Sequence, residues 1–74
     1  MKLRELRITN VMTQKDLAER ASVAAITIAA IERGVQLPSP KTSRKLAEAL
    51  GIEPTEIDEV KEAIDRALKR ERGR

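Results

Sequence analysis

The stretch Thr13–Gly34, TQKDLAERASVAAITIAAIERG, constrains the chain more than any other. Thr13 is placed to cap a helix, and Asp16 three residues on completes a weak capping box. Leu17 and Ala21 follow on one face of that helix. Ala21–Ser22–Val23 leaves room only for a tight turn. A further helix runs from about Ala24 to Arg33 and stops at Gly34, a C′ glycine. Its start is poorly capped, because Ala24 occupies the place where Ser or Thr serves best. Ala18 is expected where the two helices approach closely, since a larger side chain would hold them apart.

The flanks extend the same all-α pattern. Residues 1–9 predict a first helix with Leu3, Leu6 and Ile8 on its apolar side, and Asn10 is suited to the left-handed conformation that ends it. Val35–Ser39 is a loop in which Leu37 tucks inward and Pro38 keeps the backbone extended. Ser39–Pro40 is a strong helix start, a cap followed by proline at the first helical position. That fourth helix ends at Leu50–Gly51. Glu53–Pro54 opens a fifth helix predicted to run unbroken to about Glu71, with Ile57, Val60, Ile64 and Leu68 in one stripe and Arg70–Arg74 frayed.

Composition narrows the chemistry. The 74 residues suffice for one small core and contain no Cys, His, Phe, Tyr or Trp. The commonest general base, thiolate metal sites and stacking platforms for single strands are all missing. No cofactor and no enzyme activity are expected. Glu56, Asp58, Glu59 and Glu62 lack the loop and glycine of a calcium site. Ser39 and Ser43 have no base within any recognisable motif. The net charge is +3, and its excess is concentrated: residues 1–51 hold nine Lys/Arg against five Asp/Glu, residues 52–74 six against seven. A basic N-terminal unit suits a polyanion. With no apolar run near 18 residues and no signal-peptide pattern, a cytoplasmic location and no membrane partner are expected.

LRELR, MTQKDLAERA, the series Ile28–Ile31–Glu32–Arg33–Gly34 and PSPKTSRKLAEALGIEP together resemble the Xre/Cro/phage-repressor family of helix-turn-helix proteins. The resemblance covers roughly residues 3–58. It implies a compact five-helix, lambda-repressor-like domain over 1–58, with 59–74 continuing the C-terminal helix. It also implies double-stranded DNA as partner, with the third helix in the major groove and a homodimer on a two-fold operator. On this resemblance Gln14, Arg33, Lys41, Thr42 and Arg44 would contact phosphate. Ala25, Ile26, Thr27, Ala29 and Ala30 would face the bases. Arg7 and Glu32 would form a partly buried structural ion pair.

The third helix departs from the family pattern. Where the family carries polar or basic residues, positions 25, 26, 29 and 30 are Ala, Ile, Ala and Ala. Such side chains offer only apolar contact with thymine methyl groups, and Thr27 alone adds a hydroxyl. Three readings stay open: thymine-rich DNA, a protein or self-assembly interface on a natural or designed scaffold, and an idle exposed patch. The leading expectation is a DNA-binding transcriptional regulator module.

Overall fold

The computed structural model describes residues 1–72. Five α-helices follow one another: α1 Leu3–Thr9, α2 Gln14–Ala21, α3 Ala25–Glu32, α4 Pro40–Leu50 and α5 Asp58–Arg72, with a single 3-10 turn at Pro54–Glu56 before α5. No strand occurs among the described residues. The expected fraying of the C-terminus concerns Arg70–Arg74; Arg70–Arg72 are helical, and Gly73 and Arg74 lie outside the described residues.

Helix starts follow local chemistry. Thr13 Oγ1 accepts the Asp16 amide at 3.0 Å while Asp16 Oδ2 accepts the Thr13 amide at 3.0 Å, closing the capping box. Ser39 Oγ accepts the Thr42 amide at 3.2 Å, with Pro40 at the first helical position.

The first four helices also share one ending. The amides of Met12, Val23, Val35 and Ile52 each reach back five residues, to the carbonyls of Arg7, Ala18, Ala30 and Ala47, at 2.9–3.1 Å. This is the Schellman arrangement, which needs a left-handed residue just before the donor. Those residues are Val11 (φ 56°), Ser22 (φ 55°), Gly34 (φ 77°) and Gly51 (φ 67°). Asn10 therefore does not take the left-handed position expected of it: its φ is −88°, and its side-chain amide instead donates to the Leu6 carbonyl at 2.8 Å. The register is set by Met12, which packs against the core from the position after Val11.

That core joins Leu3 and Leu6 of α1, Leu17, Ala18 and Ala21 of α2, Ile28 and Ile31 of α3, Leu46 and Leu50 of α4, then Ile57 and Val60. Leu3, Leu17, Ile28, Ile31, Leu46 and Ile57 are fully buried. Ile8 is instead 53 % exposed, off the inward face of α1. After α3, Pro38 is buried and Leu37 only half-buried.

The fifth helix is not continuous from Pro54. The 3-10 turn is followed by Ile57 in extended backbone (φ −91°, ψ 116°), and α5 begins one residue later. This break lets the Asp58 amide donate to the Met1 carbonyl at 2.9 Å and drives the Ile57 side chain into the core. Glu59 is buried, and its Oε1 accepts the Leu3 amide at 2.9 Å. One backbone–backbone bond and one bond to the Glu59 carboxylate thus fasten the start of the chain to the start of α5.

Candidate nucleic-acid interface

The turn between α2 and α3 fixes the angle of α3. Ser22, left-handed, ends α2, and Val23 turns inward to pack against the core. Ala24 sits in extended backbone at the N-cap of α3 with no side-chain cap, so nothing polar covers that helix start. From the far end, Arg7 and Glu32 hold α3 in place. Arg7 Nε and Nη2 donate to the two Glu32 carboxylate oxygens at 2.8 and 3.1 Å, and Arg7 Nη1 donates to the Met12 carbonyl at 2.8 Å. Burial pushes the Glu32 carboxyl up, but the hydrogen bonds from Arg7 and Gln14 outweigh it, and its pKa ends below the usual range. The same pairing raises the Arg7 pKa.

α3 is thus a rigid bar presented at the surface. Ile28 and Ile31 face inward, while Ala25 is exposed and Ile26 is 78 % exposed. Thr27 and Ala29 are half-buried. Ala30 does not join this outer face: it is buried, in the last turn of α3 where the chain reverses through Gly34 and the Val35 amide bonds back to its carbonyl at 2.9 Å. The outward surface is therefore Ala24, Ala25 and Ile26, with the half-buried Thr27 and Ala29 at its edges.

The residues expected at phosphate fall in different places. Gln14 is half-buried at the start of α2, and its Nε2 donates to Glu32 Oε1 at 3.2 Å. Asp16 sits at the same helix start with a lowered pKa, chiefly from the Thr13 amide that hydrogen-bonds to it. Its charge already complements the α2 dipole and opposes a second anion there. Arg33 is exposed as the C-cap of α3. Lys41 is exposed and Thr42 half-buried in the first turn of α4. Arg44, three residues after Lys41 on α4, lines a groove of about 550 Å³ that it shares with Pro54, Ile64, Arg66 and Arg70.

The neighbour of Arg44 reaches the turn before α3. Lys45, one helical turn after Lys41 and on the same face, donates from Nζ to the Ser22 carbonyl at 3.3 Å. It carries its charge to the turn that leads into α3. The run Lys41–Arg44–Lys45 gives three equivalent cations in sequence, and only the packing of α4 tells them apart. Among the described residues, none of Arg33, Lys41, Arg44 and Lys45 is held in an ion pair. There is likewise no group of three acidic side chains able to hold a metal ion among them, and no helix long and apolar enough to cross a membrane.

A short bar-like helix, set by a tight turn onto a capped partner helix and braced from behind by a buried ion pair, defines the helix-turn-helix class. The chain matches the helix-turn-helix family over residues 3–57 and belongs to it, in its Xre/Cro-like branch. It is 39 % identical over 56 residues to an uncharacterized HTH-type transcriptional regulator of Methanocaldococcus jannaschii, a match covering 76 % of this chain and 85 % of that protein. No solved structure matched significantly.

Proposed function

We propose that this chain is a DNA-binding transcriptional regulator module that places α3 in the major groove. The observation that carries the reading is the outer face of α3, left uncovered and flanked by free cations. Arg33 stands at one end of α3, and Lys45 reaches the turn at the other, with Lys41 one helical turn before it. The family match and the relative's description as a transcriptional regulator point the same way.

In this reading Arg33, Lys41 and Lys45 neutralise phosphates. Thr42 and the first amides of α4 add to the clamp through the helix dipole. Gln14 is left out of the clamp, because it stays bonded to Glu32 beside the Asp16 carboxylate. Arg44 is left out, because it opens toward α5. Ala25, Ile26, Thr27 and Ala29 face the bases, and Ala30 supports them from within.

α5 supplies the second half of the proposal. Ile64 and Leu68 continue its apolar stripe beyond the core and remain 39 % and 45 % exposed. Pairing these stripes across a two-fold axis would make a homodimer suited to a two-fold operator, in the cytoplasm. Light scattering of the chain alone tests that step, a monomeric mass at all concentrations being the result against it.

The decisive experiment is titration of a labelled mixed-sequence duplex at several salt concentrations. Three phosphate-contacting cations per protomer give a slope of log K against log salt of roughly −2.7 for each protomer bound, and about twice that where a dimer binds as one unit, at about −0.9 per contact. Absence of binding at low salt would overturn the reading.

A further inference from the structure

We propose that the exposed face of α3 recognises the C5-methyl group of pyrimidines, on thymine or on 5-methylcytosine, in place of the hydrogen-bonding edges of the bases. The inference rests on the DNA-binding reading above and adds the chemistry of the group that is read.

Edges are read by polar side chains, and this surface has almost none. Thr27 carries the one polar side chain between Ala24 and Ala30, and it is half-buried. The next polar group, Glu32, is only 5 % exposed and is occupied by Arg7 and Gln14. What stands outward is carbon: Ala24 and Ala25, with Ile26 projecting at 78 % exposure and the half-buried Ala29 at the edge. Pressed against an unmethylated groove, such a surface would strip water from base donors and acceptors and return no hydrogen bond. Against a row of pyrimidine methyls it buries carbon on carbon.

Short alanines let the helix backbone approach closely, and Ile26 reaches farthest. The cations Lys41, Lys45 and Arg33 around this strip favour a polyanionic partner over an apolar protein surface. The methyl of 5-methylcytosine occupies the same pyrimidine position as that of thymine, so an apolar face without donors responds to both.

The test uses duplexes of about two helical turns, ~21 base pairs. One pair has mixed-order A·T sequence with either thymine or uracil. The other has mixed-order G·C sequence with either cytosine or 5-methylcytosine. Affinity is read by fluorescence anisotropy over a range of salt. Uracil is expected to weaken binding about fourfold per contacted methyl. 5-Methylcytosine is expected to strengthen it by a similar factor, with the salt slope unchanged within each pair. Ile26→Ser, at an exposed position that leaves the core untouched, should erase most of both differences while keeping the slope.

A response in only one pair supports methyl reading and identifies thymine or 5-methylcytosine as its source. Equal affinities within both pairs, with salt-dependent binding intact, overturn the methyl proposal and leave the DNA reading standing. No binding to any duplex at low salt overturns both.

Discussion

Arg7 meets Glu32 side-on, its Nε and Nη2 on the two carboxylate oxygens at 2.8 and 3.1 Å, with the two side chains 12 % and 5 % exposed. The pair bridges α1 and the end of α3, and Gln14 joins it from α2. Three consecutive helices are thereby locked around one carboxylate. Replacing Glu32 with Ala leaves a partly buried guanidinium without its counter-charge. We expect a loss of about 3–5 kcal/mol in urea unfolding, enough to unfold much of so small a domain. The double replacement Arg7→Met, Glu32→Leu should recover most of that loss.

The same carboxylate makes stability depend on acid. The folded-state pKa of Glu32 lies below its unfolded value, despite burial that acts the other way, because Arg7 and Gln14 hydrogen-bond to the charged form. Its contribution is complete above the unfolded carboxylate range, near pH ~4.3, and is lost as pH falls through the folded value. Thermal melts should therefore be flat from neutral pH down to that range and drop below it. In a folded Glu32→Gln variant the drop should be smaller.

Val11 is a β-branched residue held at φ 56° and 91 % exposed. Left-handed backbone costs such a residue about 1–2 kcal/mol, and its side chain buries almost nothing in return. Val11→Asn should stabilise the domain by about 1 kcal/mol. For a chain of this size that raises Tm by roughly 4–8 °C in a calorimetric scan.

The cations of α4 are separable by salt dependence. Lys41→Ala and Lys45→Ala should each weaken duplex binding across all sequences and flatten the log–log slope by about 0.9. Arg44→Ala, on the side facing α5, should leave the slope unchanged. If Arg44 alone moved it, the clamp would lie on the side of α4 that faces α5.

The helix boundaries were largely legible because they are set by neighbours in sequence. Thr13 with Asp16, Ser39 with Pro40, Gly34 and Gly51 act within four residues of where they stand. The misplaced features depend on residues far away in the chain. Asn10 is the better left-handed residue, yet Val11 takes that position because Met12 must follow it into the core. The apolar stripe from Ile57 onward concealed the break at Ile57, which is set by the Met1 carbonyl. Glu59 reads as one acid among several, and only the fold brings it to the Leu3 amide 56 residues away. At the interface, the apolar character of α3 was plain in the sequence. The burial of Ala30 and the bond from Lys45 to the Ser22 carbonyl were not, because each depends on how a helix face packs.

The central claim is that duplex DNA lies across the outer face of α3 and the first turns of α4. Amide chemical-shift mapping of the labelled chain during titration with a mixed-sequence duplex tests it most directly. The largest changes should fall at Ala24–Ala29, Arg33, Lys41, Thr42 and Lys45, while Glu59–Leu68 move little at constant oligomeric state. Changes confined to α5 and the groove around Arg44, or none at low salt, would contradict it.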